Sequence, residues 1–457
     1  MSKMRIEYDS MGKVQVPDDV YYQAQTQRAR DNFQFSERRF PTPAILVLLD
    51  IKSAAAQANS QLGLLDSTMA KAIQQAIIAA KKLDFSQHFP IDLFQTGSGT
   101  SSNMNVNEVI ASLASDILQA KVHPNDHVNM GQSSNDVVPA CIHISTVRQL
   151  KGLLYPAIKG LNDRLAFLAD EYSNTVKTGR THLMDAMPIT FGQELQCWQQ
   201  QLNSAQARIQ QVELSLHQLP LGGTAVGTGV NCDPNFAKLA CDDLQQQDKI
   251  PWQAAVMPAL YMSSQDHTLA MASALKGLAV TLLKIANDLR WMNSGPVAGL
   301  QEISLTALQP GSSIMPGKVN PVIPEAVAMI AAEVIGNETT ITIAAQSGNF
   351  QLNVMLPLIA DKLLSSINLL TNACQAMTNK VFAEFQPNVE HLTWALEKNP
   401  ILATALNSVV GYDMAAKIAK RADKEHKSVL AIALEETDLD EEKLKAILDP
   451  LHLAKPY

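Results

Sequence analysis

This 457-residue sequence has few aromatic side chains and no excess of positive charge. Aromatic residues make up 5% of it, charged residues 18%, and the formal net charge is -8. Because a nucleic-acid footprint needs a basic face, this balance argues against a nucleic-acid-binding protein. Alanine, leucine, glutamine and methionine are plentiful, and their side chains lose little freedom in a helix. The composition therefore predicts a mainly α globular protein, and the length predicts roughly two to four domains.

Paired cysteines and metal-binding clusters are also missing. The five cysteines are an odd number without a C-x-x-C pair, so neither a disulfide framework nor a zinc ribbon is indicated. His123 and His127 have the i,i+4 spacing of a helical metal site, but Pro124, Asn125 and Asp126 between them are typical of a turn. We expect no metal and no cofactor. Buried thiols are expected at Cys141, Cys197, Cys232, Cys241 and Cys374.

The sequence has no obvious targeting segment or nucleotide-binding motif. No run of about 18 uncharged apolar residues occurs, and residues 1–12 carry charges where a signal peptide needs an apolar stretch. Gly97 and Gly99, and likewise Gly227 and Gly229, could begin a G-x-G-x-x-G fingerprint. In neither case is the third glycine present, because Ser102 and Cys232 occupy that position. Gly311 to Val319 differs from a Walker A loop in its spacing and in its last residue. We expect a cytoplasmic protein without a dinucleotide-binding or P-loop fold.

Three long helices are indicated by apolar periodicity and capping residues. Thr190 and Gln193 form a capping box that opens a helix to about Leu219. A second helix is predicted from 263 to 293, and a third from about 324 towards 348. The stretch 270–289 is apolar around most of its circumference, so it must be covered on nearly every side. A bundle extended by other subunits, most simply a tetramer, would provide that cover, and a large monomeric bundle is the alternative.

Four polar, glycine-containing segments interrupt these helices. They are rich in hydroxyl and amide side chains and poor in charge, and the fourth is unusually long for a loop in a compact domain. Such residues often serve only as helix caps. Neutral donors at helix N-termini are also well suited to binding carboxylates, with Lys318 as a balancing cation. The segments are 95–107, 129–136, 179–182 and 294–321.

These segments resemble the motifs of one enzyme family. GSSIMPGKVNP from Gly311 resembles the signature loop of the fumarase and aspartase superfamily. TGSGTSSNMNVNEV, HPNDHVN, QSSND, GRTHLMDAMP and LGGTAVGTGVN are similar to motifs of the class II fumarases, in the same order. The resemblance covers essentially the whole chain. It implies a three-domain subunit with domains at 1–130, 131–355 and 356–457, and a homotetramer with a twenty-helix core. Each active site would draw on three subunits.

The resemblance also implies a reaction and the residues that perform it. The reaction is the reversible hydration of fumarate to L-malate through an aci-carboxylate carbanion, which needs converging donors. Ser312 would be the base, His182 would handle the water, and Glu325 would orient His182. Without the family, a turn residue is the favoured interpretation of Ser312, and an acidic residue in the first turn of a helix is the alternative for Glu325. Substrate contacts are implied for Ser98, Gly99, Thr100, Ser133, Ser134, Asn135, Thr181, Ser313, Lys318, Val319 and Asn320.

A second dicarboxylate site is implied at His123, Pro124, Asn125 and Asp126. Ala120 stands where the family's basic residue is expected, and a structural turn explains the same residues equally well. Aspartate ammonia-lyase is the main rival within the superfamily, but it usually has Gln at the position of His182 and Ala at that of Gly317. The motifs of argininosuccinate and adenylosuccinate lyases match this sequence less well across Thr96 to Val109. A silent helical scaffold, free to lose Ser312, His182 or Lys318, is the remaining alternative.

Overall fold

The structure is a computed structural model that describes residues 3–455, and 63% of it is helical. This confirms the predicted mainly α fold. The helices are α1 Ala24–Asn32, α2 Thr42–Gln61, α3 Ser67–Ala80, α4 Phe85–His88, α5 Thr100–Leu118, α6 Ser134–Gln149, α7 Tyr155–Glu171, α8 Phe191–Glu213, α9 Phe236–Asp248, α10 Pro258–Ser263, α11 Asp266–Met292, α12 Val322–Ala345, α13 Leu356–Ala376, α14 Val389–Lys398, α15 Asn407–Val410, α16 Tyr412–Glu425, α17 Val429–Glu436, α18 Glu441–Ile447 and α19 Pro450–Ala454.

The strands are short and form five separate two-stranded pairs. Four pairs are antiparallel, and the pair of β5 with β6 is parallel. The strands are β1 Met4–Asp9, β2 Gly12–Pro17, β3 Val176–Thr181, β4 Met184–Thr190, β5 Gln218–Leu219, β6 Gln253–Ala254, β7 Ile303–Ser304, β8 Gly348–Asn349, β9 Leu352–Asn353 and β10 Gln386–Pro387. Tighter or wider helical turns occur at Pro124–Val128, Leu150–Leu154, Leu214–His217, Met377–Val381 and Pro400–Leu406.

Contacts divide the chain into two compact units. The first contains the chain up to Tyr155, together with Ala207–Gly277 and Ala332–Leu370. Its centre is α2, which contacts α3, α5, α6 and α9 and buries twelve of its residues. α5 is buried from its second residue through Ala111, so its polar start is fixed by the core behind it. The division into two units does not test the three domains expected from the family resemblance, which remain a prediction.

The second unit contains Pro156–Gln206, Leu278–Ala331 and the chain from Thr371 onward. The β3–β4 hairpin lies in this unit, where α14 contacts β3 and α19 contacts β4. A separate apolar cluster joins the helices near the carboxyl end, with Leu406, Ile418, Ile432 and Leu444 all fully buried. This unit also holds the long 294–321 segment, which contains only the two-residue strand β7.

The three long helices were predicted correctly in position but not at every end. The capping box of α8 is present: the Thr190 amide donates to Gln193 Oε1 at 2.9 Å, and the Gln193 amide donates to Thr190 Oγ1 at 3.1 Å. The helix does not continue to Leu219, because a 3₁₀ turn and β5 follow Glu213. The predicted interruption at 95–107 is also wrong beyond residue 99, since α5 begins at Thr100. Two of the thiols expected to be buried differ as well: Cys197 is exposed and Cys232 only partly buried.

α11 and α12 are long and apolar enough to cross a membrane by length and composition. Apolar core helices of soluble proteins have the same composition. Half of the most apolar stretch of α11, and 28% of that of α12, is buried. Val280, Met329 and Ile343 are among the large apolar side chains that stay exposed on them. Residues 3–455 therefore leave much of the apolar surface of both helices uncovered.

Candidate active site

The first predicted donor segment, Ser98 to Thr100, forms the start of α5. Gly99 precedes the helix with a φ of 76°, and a Cβ at this position would lie 2.9 Å from Val138 Cγ1. Only glycine fits this left-handed, closely packed backbone without strain. Ser98 is buried, and its hydroxyl lies 2.8 Å from that of Thr100. The two hydroxyls are thus held side by side at a helix N-terminus, where anions bind favourably.

The second donor segment, Ser133 to Asn135, begins α6. The Ser133 amide donates to Asp136 Oδ1 at 2.9 Å, and Ser133 Oγ accepts the Asn135 amide at 3.2 Å. Ser134 Oγ accepts a 3.1 Å hydrogen bond from Asn103 Nδ2 on α5. Because Asn103 lies one turn after Thr100, this bond brings the first and second donor segments together within one unit.

Two buried charges that were not predicted from the sequence lie close to this pair of segments. Lys52 on α2 is fully buried, and burial lowers the pKa of its ammonium group to about 7. Asp136 on α6 is also fully buried, and burial raises the pKa of its carboxyl group to about 7. The available signals were a single cation within an apolar helix and an acid three residues after a capping serine.

The third donor segment, Thr181 and His182, lies at the tip of the β3–β4 hairpin and is not an irregular loop. Thr181 pairs with Met184, and His182 and Leu183 form the two-residue turn with φ values of 57° and 62°. Such turns normally contain asparagine and glycine, because both central residues have left-handed backbones. Thr181 and His182 are exposed. The hairpin therefore presents the histidine on a strained and exposed tip.

A buried charge cluster supports the base of this hairpin. Lys177 Nζ lies 2.7 Å from Glu194 Oε2 and 2.7 Å from Glu302 Oε2. Arg180, the residue before Thr181, also pairs with Glu302. Both Lys177 and Glu302 are almost fully buried. Breaking one partner of such a cluster leaves an uncompensated buried charge, so the base of the hairpin is firmly held.

The fourth donor segment folds into a closed loop between Gly311 and Asn320. The Gly311 amide donates to the Lys318 carbonyl at 2.9 Å, and Asn320 Nδ2 donates to the Gly311 carbonyl at 2.8 Å. Ser312 Oγ accepts two backbone N–H groups, from Ile314 at 3.2 Å and from Met315 at 3.0 Å. Two N–H dipoles directed at one oxygen stabilise negative charge on it.

A cavity of about 650 Å³ lies beside this loop within the second unit. Its lining includes the predicted residues Lys318, Val319, Asn320 and Glu325. Arg290, which was not predicted from the sequence, adds a second cation to the lining of this cavity. Its signal was a basic residue in the last turn of α11, where the helix dipole favours positive charge. Ser313 is exposed on the loop.

The structure therefore brings the predicted residues together in two sets. Ser98, Gly99 and Thr100 are linked to Ser133, Ser134 and Asn135 in the first unit. Ser312, Ser313, Lys318, Val319, Asn320 and Glu325 share one loop and helix start in the second. Thr181 and His182 are not among the residues that line the cavity. No hydrogen bond or ion pair joins His182 to Glu325 within residues 3–455.

The residues of the implied secondary site form a single wide turn, Pro124–Val128. His123 Nδ1 accepts the amides of Asn125 at 3.3 Å and Asp126 at 3.1 Å. The His123 amide donates to His127 Nδ1 at 2.9 Å, so the two histidines are not arranged as a pair of metal ligands. Among the described residues no group of three or more potential metal ligands is found. A cavity of about 520 Å³ is lined by His123, Pro124 and Asn125, with Lys121 beside them.

Comparison with known families assigns a class to this architecture. The chain matches the family model described as Lyase over residues 12–336, which is more than half of its length. It also matches the model described as Fumarase C C-terminus over residues 402–455. Long helices joined by loops of neutral donors, matched in this way, define an enzyme of the lyase class.

Individual relatives narrow this class. The chain is 53% identical to fumarate hydratase class II 2 of Pseudomonas aeruginosa, with 98% of each chain covered. It is 52% identical to the class II fumarate hydratase of Xylella fastidiosa, over 99% of this chain and 96% of that one. The crystal structure of class II fumarase from Schistosoma mansoni matches it with a TM-score of 0.96 at 36% identity, covering 100% of both chains. The chain belongs to the class II fumarate hydratase family.

Proposed function

We propose that this protein adds water reversibly across the double bond of fumarate to give L-malate. The observation that carries this proposal is the environment of Ser312, whose hydroxyl oxygen accepts two backbone N–H groups. A serine is an effective base only when its alkoxide is stabilised, and two N–H dipoles with Lys318 on the same loop would provide that stabilisation.

In the malate-to-fumarate direction, the Ser312 alkoxide takes the proton from C3. The electron pair of that C–H bond moves into the neighbouring carboxylate, which becomes an aci-carboxylate held by Lys318 and Asn320. The C2–O bond then breaks, and the electron pair returns to form the C2–C3 double bond. The leaving hydroxyl takes a proton from His182 and departs as water, and hydration is the reverse.

The backbone at His182 supports its assignment to this step. His182 and Leu183 both have left-handed φ values although neither is glycine. Such strain costs roughly 1–3 kcal/mol per residue and persists at functional sites, where the surrounding structure enforces it. The buried Lys177 and Glu302 pair at the base of the hairpin provides that enforcement. An exposed imidazole on a rigid, strained tip is suited to insertion into a site completed by another chain.

The remaining donors would bind the two substrate carboxylates. Hydroxyl and amide groups at the starts of α5 and α6 combine side-chain donors with the positive ends of two helix dipoles. The proposed contacts are Ser98, Gly99, Thr100, Ser133, Ser134, Asn135, Thr181, Ser313, Lys318, Val319 and Asn320. Because these donors are neutral except Lys318, they favour a small dianion over a larger charged ligand.

We further propose a cytoplasmic homotetramer whose active sites each combine segments of three subunits. The uncovered apolar surface of α11 and α12 supports this assembly, since other copies of the two helices would bury it. Glu325 would then orient the His182 of a neighbouring subunit, as a third group orients the base in a catalytic triad. The proposed tetramer has its twenty-helix core at this surface.

A weaker dicarboxylate site is also proposed at His123, Pro124, Asn125 and Asp126. Lys121 lines the same cavity and supplies a cation close to the position where Ala120 lacks one. The site would bind only at high diacid concentration, because His123 Nδ1 is already used by two backbone amides.

A spectrophotometric assay tests the proposed activity. Purified protein mixed with L-malate is expected to generate the ultraviolet absorbance of fumarate, with a chelator present and no metal added. The same protein with L-aspartate is expected to generate none. Turnover of aspartate alone would identify an ammonia-lyase, and turnover of neither would leave the helical scaffold as the better account.

A further inference from the structure

Lys52 is the most unusual charged residue of the first unit. Its side chain is fully buried in the middle of α2, where apolar neighbours such as Leu48 and Ile51 are also buried. Its ammonium group donates to two neutral acceptors, Asn129 Oδ1 at 2.8 Å and Gln132 Oε1 at 2.9 Å. Removing an ammonium group from water is costly, and an apolar side chain of the same size would often be as stable or more so. The cation therefore calls for an explanation beyond packing.

The two acceptors bracket a single turn. The Gln132 amide donates to the Asn129 carbonyl at 3.1 Å, and Asn129 Nδ2 donates to the Gln132 carbonyl at 3.2 Å. Gln132 Nε2 also reaches the Met130 carbonyl at 3.2 Å. Lys52 thus fixes both ends of the 129–132 turn, and Ser133, the first residue of the second donor segment, follows it directly.

Asn129 extends this arrangement to the first donor segment. Its Oδ1 accepts not only Lys52 but also Asn103 Nδ2 at 3.3 Å and Asn107 Nδ2 at 3.1 Å, both from α5. Asn103 in turn donates to Ser134 Oγ. A single amide oxygen therefore collects donors from α2 and α5 and holds the start of α5 in register with the start of α6.

Asp136 links the start of α6 to a further segment of the first unit. Its carboxylate accepts the Ser133 amide and, at 2.9 Å, the amide of Thr224 in the LGGTAVGTGVN segment. Asn135 Nδ2 donates to the Ala225 carbonyl of the same segment at 2.9 Å. Asp136 and Lys52 attract each other through the protein interior, which offsets part of the cost of burying both charges.

We infer that Lys52 is a positioning residue for substrate binding: by anchoring the 129–132 turn through Asn129 and Gln132, it holds Ser133 to Asn135 and Ser98 to Thr100 in place to receive one substrate carboxylate. This inference rests on the proposed function. The ammonium group does not touch the substrate in this arrangement, and it acts only through the residues that do. The residue is needed for diacid affinity, whereas the proton transfers at Ser312 and His182 do not depend on it directly.

The test is Lys52→Met, which keeps the volume and removes the charge and both donated hydrogen bonds. The KM for L-malate is expected to rise about tenfold or more, in line with the loss of charged hydrogen bonds, while kcat falls by less than KM rises. The Kd for succinate, a saturated diacid that cannot react, is expected to rise by a similar factor in calorimetry. Val47→Ala, a buried change on another side of α2, is the matched control and is expected to lower Tm without moving KM.

A KM and a succinate Kd within about twofold of wild type in assembled Lys52→Met protein would overturn the inference. If that variant does not fold, Gln132→Met decides in its place, because it removes only one of the two acceptors. A threefold or greater rise in both constants is expected there, and unchanged constants reject the inference. Wild-type protein is assayed in parallel. Absence of hydratase activity in wild type counts against the proposed function, and an active wild type with an indifferent Lys52 counts against this inference alone.

Discussion

The two units hold their proposed donors in different ways. In the first unit, Ser98 and Ser134 are buried. The Ser98 hydroxyl is bonded to that of Thr100, and Asn103, one turn further along α5, donates to the Ser134 hydroxyl at the start of α6. In the second unit, His182 and Lys318 are exposed, on a hairpin tip and on a loop. Donors that are already fixed need little reordering when substrate binds, while exposed ones gain order only when something covers them. One half of the proposed site is therefore preorganised, and in our proposal the other half is completed only by assembly with other subunits.

The largest expected effect concerns the exposed half. Ser312→Ala removes the proposed base and is expected to lower kcat by about a thousandfold or more, with KM changed much less. Light scattering should show an unchanged assembly, because within residues 3–455 the hydrogen bonds of the Ser312 side chain all lie in its own loop. Ser313→Ala is the control next to it, expected to raise KM modestly through a lost carboxylate contact. Near-normal kcat in Ser312→Ala would remove this serine from the mechanism.

The hairpin tip offers a second test of the exposed half. His182→Asn is expected to lower kcat by roughly 100- to 10,000-fold, the contribution of a positioned acid or base. Asparagine tolerates the left-handed backbone better than most residues, so the turn itself should survive. Leu183→Asn tests the same backbone one residue later, at a φ of 62°, and should leave kcat nearly unchanged. Equal losses in both variants would indicate damage to the turn rather than loss of the imidazole.

Acid should weaken the preorganised half. His143 is fully buried in the first unit, and burial lowers the pKa of its imidazole from 6.5 to about 4. Between pH 6.5 and about 4, His143 is protonated in the unfolded chain but neutral in the folded chain. The stability that neutral His143 contributes above pH 6.5 is therefore lost as the pH falls towards 4. The loss is up to ~3 kcal/mol. His267 faces His143 and disfavours its charging further.

Urea unfolding of wild type and His143→Gln at pH 7.5 and 5, at one protein concentration, measures this loss. The wild type should lose more free energy of unfolding on acidification than the variant. Only the difference between the two proteins is diagnostic, because Asp136 acts in the opposite direction. Burial raises the pKa of its carboxyl group to about 7, so folding takes up a proton there as the pH falls. Parallel curves for the two proteins would contradict the prediction.

Sequence reasoning succeeded where a local signal determines a local structure. The Thr190 and Gln193 capping box identified the start of α8, because both bonds are made between residues three apart. The signature loop was found because its spacing is long and specific. The end of α8 was missed, since β5 is stabilised by the parallel partner β6, more than 30 residues later in the chain. Local propensity carries no information about such a pairing.

The preorganised half of the site could not be derived from the sequence for the same reason. Lys52 lies 77 residues from Asn129, and Asp136 lies 88 residues from Thr224. Each contact depends on the packing of α2, α5 and α6, which only the folded chain specifies. The hydroxyl residues of the donor segments were recognised by their type, but the hydrogen bonds that arrange them were not.

Gly99 allows the preorganised half to be disturbed directly. Gly99→Ala adds a Cβ 2.9 Å from Val138 Cγ1 on a backbone with a φ of 76°. Gly63→Ala is a matched control, because Gly63 has a φ of 72° and nothing within 4 Å of the added atom. Both variants should lose about 1–2 kcal/mol of stability from the left-handed backbone. Only Gly99→Ala is expected to raise KM, by roughly tenfold, because it displaces Ser98 and Thr100. A rise of the same size in Gly63→Ala would mean that general destabilisation is responsible.

The smallest expected effect lies at Gly317, where the family resemblance leads us to expect alanine in aspartate ammonia-lyase. Gly317 has a φ of 81° and open space around a Cβ, so Gly317→Ala costs only backbone strain, about 1–2 kcal/mol, within an exposed loop. We expect kcat/KM for L-malate to fall by less than tenfold and the preference for malate over aspartate to persist. Gly311→Ala is the contrast, because its Cβ would lie 2.2 Å from the Lys318 carbonyl oxygen and would force the loop open. Turnover of aspartate by Gly317→Ala would contradict the expected preference for malate. If Gly317→Ala lost as much activity as Gly311→Ala, the loop would be as rigidly determined as the first unit, and the difference between the two halves would disappear.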